Sequence, residues 1–511
     1  MTARWARTAV LAAVFVCAAC GLVYELALVA LGSYLIGDAV GQASIVLGVM
    51  VFAMGLGALA TKPLQSRAAV AFGAVELALA LLGGLSVLGL YAAFAWLDLY
   101  QPALVVVAFV VGLLIGAEIP LLMVLLQRIR AQDAGTAVAD LFAADYVGAL
   151  LGGLAFPFLL VPIFGQLRGA LVVGALNAAA GLLVVFVLFR RDLGRRARVC
   201  LGSATAVVAL LLGYAFITAD AFEITARQQL YQDPIVYAQH SRYQEIVLTE
   251  AVAFPGRPRD VRLYLNGDLQ FSSVDEYRYH EALAHPALAG NHRSVLILGG
   301  GDGLALREVL RYSDVDTVTL VELDPAVIDL ARHDPRVSAL NAHAFDDPRL
   351  HLVVADAFAW LRGNADRFDA IIVDMPDPDE TATAKLYSVE FYSLLAPALG
   401  ADARVVVQAG SPYFAPRSFW CIEASVAAAG FATLPYHVDV PSFGDWGFVL
   451  AARTAPALAL APDAPALRFL DAATLQAAAV FPRDQGRIPV EPSTLLQPRV
   501  LEYARTEWND Y

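Results

Sequence analysis

Four acidic residues set the chemistry open to this chain. The apolar run SVLIL (294–298) leads into Gly299-Gly300-Gly301-Asp302-Gly303 and then into LALREVLRY, a glycine turn between a strand and a helix. Glycines there let the backbone approach a ligand at a helix N-terminus. Glu322, Asp356 and Asp374 each follow a short apolar run. Open α/β sheets bind ligands beyond the carboxyl ends of their strands, so Asp302, Glu322, Asp356 and Asp374 should converge on one cleft. Any one of them alone reads as a helix cap. Four together repel unless something cationic compensates. Glu322 lies about 20 residues past the glycine turn, the position for ribose hydroxyls. Asp356 with Ala357 sits where an adenine amino group would be read, and Asp302 and Asp374 lie nearer the reacting end. A ligand with adenosine, a sulfonium and a free ammonium suits this field; a pyrophosphate does not. The histidines form no ligand-spaced cluster, so no metal is expected.

The elements that must hold these residues divide the chain in two. The whole is 59% hydrophobic and 16% charged, against roughly 25% charged in soluble globular proteins. The net charge of -13 excludes nucleic acid as a partner, which needs a basic face, and suits a cationic ligand. Up to about residue 218, apolar runs of membrane-spanning length follow one another. About seven helices are expected, at 8–30, 42–60, 69–92, 102–126, 141–163, 167–189 and 199–218, the first retained and not cleaved as a signal peptide. Arg4/Arg7, Lys62/Arg67, Arg128/Arg130 and the cluster 190–198 fall on one side, opposite Asp38, Asp98 and Arg168. The positive-inside rule then places the N-terminus in the cytoplasm; either seven spans place the rest outside, or the count is off by one and the rest is cytoplasmic. The location expected is a cell membrane, with lipid as a partner. Cys17-x-x-Cys20 has a metal-like spacing but no second Cys/His pair, and reads as helix packing; Cys200 and the isolated Cys421 allow no disulfide framework in the soluble part.

Four segments follow: a multi-pass transmembrane domain (1–220), an N-terminal β-sheet subdomain (221–292), a Rossmann-like catalytic domain (293–455) and a partly helical tail (456–511). Alternating runs between 234 and 270 read as a small antiparallel sheet. Strands at 294–298, 317–322, 350–355, 369–374 and 404–408, separated by helical segments, read as a doubly wound parallel sheet, extended by runs near 432–440 and 446–452.

The stretches YLNGDLQFSSVDEYRYHEALAHPAL (264–288), GGGDG (299–303), VELD (321–324), ADA (355–357), VDMPDP (373–378) and KLYSVEFY (385–392) resemble, in order and spacing, the spermidine synthase (polyamine aminopropyltransferase) family over roughly 235–453. The apolar front, with YEL near Glu25, LFAADYVGALLGGLAFPFLLVP at 141–162 and VPSFGDWGFVLA at 440–451, is similar to its membrane-fused branch. The resemblance implies a class I methyltransferase-type fold, a homodimer or homotetramer, and aminopropyl transfer from decarboxylated S-adenosylmethionine to a diamine, putrescine first, giving spermidine and methylthioadenosine. It also implies roles. Gln244, His280, Asp302, Glu322, Asp356 and Ala357 would bind donor or diamine. Asp374 would accept the proton, Asp377 would help hold the amine, and Tyr279 and Tyr387 would line the acceptor site. Met375-Pro376 departs from the small hydroxyl pair of soluble members, and Phe443 stands where those often carry Tyr or a smaller residue; both touch the acceptor side. The alternatives are an S-adenosylmethionine-dependent methyltransferase, and a membrane polyamine transporter or sensor, for which Glu25, Glu76, Glu118 and Asp145 within the spans are the pointers.

Overall fold

The computed structural model describes residues 3–36, 39–97, 99–129, 134–252 and 259–508; Asp38, Asp98 and Arg130 lie outside them. The chain folds as two compact units, Met1–Gln232 and Asp233–Tyr511.

The first unit is helical, and its described residues form six continuous runs long and apolar enough to cross a membrane, not seven. The difference lies in Val138–Leu188, a single 51-residue run. At about 1.5 Å per residue it would be more than twice a bilayer's thickness. Gly165, with φ 71° and ψ 177°, breaks it. The contacts on either side run in opposite directions. Before Gly165, Gly148 and Gly152 pack on Phe15 and Ala19, parallel to the first helix. After it, Gly174 and Gly181 pack on Ala80 and Glu76, antiparallel to the helix Ala68–Gly84. That helix is itself parallel to the first, since Gly83 meets Tyr24 while Glu76 lies beside Cys17. A left-handed glycine therefore folds one apolar run back on itself. Counted this way, seven segments alternate in direction. Arg195–Gln228 again runs parallel to Ala68–Gly84, with Leu201 at Gly73 and Leu212 at Gly84. The third expected span also differs: Ala68–Gly84 stops at Leu85, and a separate shorter helical segment, Ser86–Leu97, follows. Glycine is the currency of packing here. A Cβ on Gly116 would come within 2.1 Å of the Met54 carbonyl, and one on Gly148 within 2.2 Å of that of Phe15, so these helices meet backbone to backbone.

The second unit opens with a four-stranded antiparallel sheet, β1 (Ile235–His240), β2 (Glu245–Glu250), β3 (Val261–Leu265) and β4 (Asp268–Ser272), paired in that order. A seven-stranded sheet follows: β5 (Ser294–Gly299), β6 (Thr317–Glu322), β7 (Leu350–Val354), β8 (Phe368–Asp374), β9 (Leu399–Gln408), β10 (Ala432–Val440) and β11 (Gly444–Ala452). Its order is β10-β11-β9-β8-β5-β6-β7. Strands β5 to β9 pair in parallel, while β11 runs antiparallel to β9 and to β10. The sheet is therefore mixed, not wholly parallel. Central strands covered on both faces need unbroken apolar sequence, and β8 (FDAIIVD) supplies it with Ala370, Ile371, Ile372 and Val373 all buried. The strand order reverses between β5 and β8, the switch point at which such sheets open a crevice. The segment after Ala452 is loop apart from Ala472–Ala477 and Arg499–Trp508.

Candidate active site

At that switch point Gly299 pairs with Asp374. The glycine turn is tight for a geometric reason. Gly299, Gly300 and Gly303 take φ of 82°, 65° and 82°, and a Cβ on Gly299 would stand 2.0 Å from the Asp374 carbonyl. Gly300 N–H donates to that same carbonyl at 3.2 Å. Gly301 faces the Glu322 carboxyl, which a Cβ would approach to 2.8 Å. The turn thus presses the ends of β5, β6 and β8 together and carries Asp302 into the same space.

The cleft above them has a volume of about 300 Å³. Gln244, Tyr279, His280, Asp302, Glu322, Asp356, Ala357, Asp374 and Asp377 all line it. Tyr387 does not. It is fully buried behind the wall, its hydroxyl donating to the carbonyls of Met375 (3.0 Å) and Pro376 (2.8 Å). Its place is under the VDMPDP loop that presents Asp374 and Asp377, behind the residues that line the cleft.

The two ends of the cleft differ in charge. At one end Glu322 accepts from Asp324 N–H (2.9 Å), and burial pushes its carboxyl up to about 7. Gln244 Nε2 donates to Asp324 (3.1 Å), so Gln244 ties the small sheet to the end of β6. Asp356 caps its helix through Ala359 N–H (2.9 Å) and pairs with Lys385 Nζ at 2.5 Å. Burial alone would raise Asp356, but these partners hold it below the usual carboxylate range.

At the other end, Tyr279 O–H donates to Asp374 Oδ1 at 2.7 Å. Burial lifts Asp374 to about 6, assisted by Asp302 and opposed by His280 and the Tyr279 hydrogen bond. Asp377 is likewise raised by burial to about 6 and accepts from Gln408 Nε2 at 2.7 Å. His280 opposes its own burial through Glu276 (3.0 Å), which raises it; Glu276 is gripped at both oxygens by Arg307 (2.9 and 2.8 Å). Asp302, raised by burial, accepts from Leu304 N–H at 2.9 Å. The helix Glu276–Ala284 delivers Tyr279 and His280 together, anchored by Tyr436 O–H on the Ala282 carbonyl (2.7 Å). Phe443 meets Tyr279 edge-on at 5.8 Å. Asp268 and Asp379 extend the acidity; burial and Asp379 push Asp268 up to about 7. Among the described lining residues, only Lys385 and His280 carry basic groups.

Lys385, Gln408, Asp268 and Asp379 were not singled out from sequence. Lys385 and Asp268 fall inside the quoted stretches, but their partners lie far along the chain. The arrangement can bind a cation, take a proton from it at Asp374, and hold a polar, nucleoside-like group over Glu322 and Asp356.

Residues 276–458 match the spermine/spermidine synthase domain. Polyamine aminopropyltransferase 1 of Streptomyces coelicolor is 61% identical over 99% of this chain and 96% of its own length. The polyamine aminopropyltransferase of Mycobacterium tuberculosis H37Rv is 50% identical over 99% and 97%. A crystal structure of spermidine synthase in complex with the transition-state analogue AdoDATO aligns at a TM-score of 0.45 and 26% identity, over 54% of this chain and 89% of that one.

Proposed function

The chain belongs to the polyamine aminopropyltransferase family, and on that premise we propose that it transfers an aminopropyl group from decarboxylated S-adenosylmethionine to a diamine, putrescine first among them. The observation that carries this reading is the Tyr279–Asp374 hydrogen bond at the end of the cleft that gathers Asp302, Asp374 and Asp377, with Asp377 on Gln408. A primary amine has a pKa near that of Lys, ~10, and is no nucleophile while protonated. Asp302, Asp374 and Asp377 suit its cationic form. Proton transfer from the ammonium to Asp374 frees the nitrogen lone pair. The N–C bond then forms at the methylene next to sulfur, the S–C bond breaks, and its electron pair neutralises the sulfonium as methylthioadenosine departs. Glu322 and Asp356 hold the nucleoside so that nitrogen, carbon and sulfur stand in line, a contribution made by positioning. Residues on this chain supply each step.

Full-length protein incubated with decarboxylated S-adenosylmethionine and a panel of amines, read by product mass spectrometry, tests the proposal. Spermidine and methylthioadenosine from putrescine are expected. The decarboxylated donor should also bind more tightly than its carboxylated parent, by on the order of 1–3 kcal/mol, because a carboxylate would enter an acidic, buried end. Equal affinity and a methylated product would replace the proposal with methyl transfer.

We further propose a multi-pass place in the cell membrane. Arg7, Lys62, Arg67, Arg128 and Arg190–Asp192 cluster at one end of the bundle, where Arg128 donates to the Gln65 carbonyl at 3.0 Å. With seven alternating segments, Gln228 leaves at the other end. The positive-inside rule then makes that exit extracytoplasmic. A topology reporter fused after Tyr511 should read outside; a cytoplasmic reading would remove one crossing, with the Gly165 hairpin as the segment to suspect.

A further inference from the structure

Inside the helical bundle, among residues the transfer reaction does not use, Cys17, Glu76 and Glu118 bring one ligand atom each to within 4.8 Å of one another, and all three are buried. They come from three helices, Ala3–Ile36, Ala68–Gly84 and Tyr100–Ile129. A fourth segment contributes Asn177, whose Nδ2 donates to Glu76 Oε2 at 2.7 Å.

A second observation concerns what surrounds the cluster. Tyr24 and Asn177 are fully buried, and the Tyr24 hydroxyl and Asn177 Oδ1 have no hydrogen-bond partner among the described residues. Tyr24 stands two turns along the Cys17 helix, within electrostatic reach of Glu76 and Glu118. The Oε1 atoms of Glu76 and Glu118 are also without partners. An unmatched polar atom in an apolar interior costs about 1–3 kcal/mol, so four that converge from separate helices point to something that satisfies them together. The surplus is of acceptors, which a cation answers. Two carboxylates call for two positive charges.

The space decides the size of that cation. Gly181 lies so close to Glu76 that a Cβ would stand 2.4 Å from its Cγ, and a Cβ on Gly83 would stand 2.7 Å from the Tyr24 ring. Contacts this close around Glu76 and Tyr24 disfavour an alkyl chain and suit a bare ion. The sulfur decides the class: a thiolate beside carboxylate oxygens favours a borderline transition metal over Mg²⁺, Ca²⁺ or Na⁺.

We propose that Cys17, Glu76 and Glu118, completed by Asn177 or Tyr24, bind one divalent transition-metal ion of the Zn²⁺/Co²⁺ class within the membrane bundle. Such an ion ties three helices together, or four where Asn177 completes the site, and its binding energy becomes folding energy of the bundle. Cys17 acts here with carboxylates from other helices; Cys20, one turn on, faces the Val173 carbonyl instead.

Full-length protein in detergent, stripped with a chelator and titrated with Co²⁺, is the test. One equivalent should bind, with the near-ultraviolet thiolate-to-cobalt band that a sulfur ligand produces. Cys17→Ser should abolish the band and Cys20→Ser should keep it. Glu76→Gln with Glu118→Gln should weaken binding at least tenfold. The group His292, Asp314 and Asp463, in which only the two acids are exposed, has no sulfur and cannot produce the band. As a second readout, Zn²⁺ should raise the thermal midpoint of the wild type and not of Glu118→Gln. A wild type that binds no Co²⁺, or a band that survives Cys17→Ser, overturns the proposal. So does a Zn²⁺ response unchanged in Glu118→Gln, which would leave the two carboxylates to protons alone.

Discussion

The chain buries carboxylates in two places and treats them differently. In the cleft, four of the acids that face the ligand space have their own donors: Tyr279 for Asp374, Gln408 for Asp377, the Asp324 amide for Glu322, Lys385 for Asp356. In the bundle, Glu76 accepts from Asn177 on one oxygen, and Glu76 and Glu118 each leave an oxygen with no donor among the described residues. A carboxylate that must cycle through proton transfer needs a pKa set by fixed neighbours, and the cleft sets Asp374 and Asp377 at about 6. A carboxylate that must hold a cation needs free acceptor atoms. The same side chain serves either purpose, and the number of donors already committed to it tells which.

The most damaging change on the cleft side is Asp374→Asn, which keeps the shape and removes the base. Turnover should fall roughly 10²–10⁴-fold, with donor affinity little changed because Glu322 and Asp356 remain. Rate and binding measured separately distinguish this from a general collapse of the site. A variant with near-normal turnover at neutral pH would move the role to Asp377.

How far the sequence carried this comparison depends on the kind of signal. Glu322, Asp356 and Asp374 were legible because each ends an apolar run, and Asp302 because it sits in the glycine turn; parallel-sheet topology sends strand ends to one place. The strands 317–322 and 432–440 emerge with the bounds read from sequence. What composition does not encode is which distant side chain answers which. Lys385 meets Asp356 across 29 residues, Gln408 meets Asp377 across 31, and Tyr387 turned out to support the loop from behind. In the bundle, the spans were visible as apolar runs, and the gap read between 141–163 and 167–189 brackets Gly165, whose positive φ makes the turn. Read as a pair, Cys17-x-x-Cys20 was uninformative; the neighbours of Cys17 that matter lie on other helices.

A smaller effect should follow from taking away a donor while leaving the acid. Gln408→Leu strands Asp377 without its amide and leaves its burial intact, so the carboxyl rises further and is less ionised at neutral pH. The loss of kcat/KM for the amine should be about tenfold, the cost of one unmatched buried group. No change in kcat/KM would show that Asp377 does not hold the amine.

The smallest expected effect lies in the bundle. Gly181→Ala places a methyl against Glu76, an overpacking cost of about 1–3 kcal/mol, seen as a fall of a few degrees in the thermal midpoint of the detergent-solubilised chain. An unchanged midpoint would mean that the helices separate easily there, and would remove the reason to favour a bare ion.

The pH dependence of kcat/KM, compared between wild type and Asp374→Asn, tests the central claim most directly. The carboxyl of Asp374 is raised, so its basic form is present above about pH 6 and lost as pH falls through that value. Wild-type kcat/KM should climb with unit slope to about pH 6 and then level until the amine itself begins to deprotonate. In Asp374→Asn that limb should vanish, and the rate should track the neutral fraction of the amine, still rising toward its pKa of ~10. An Asp374→Asn profile that keeps the limb near pH 6 would contradict the assignment of Asp374 as the base.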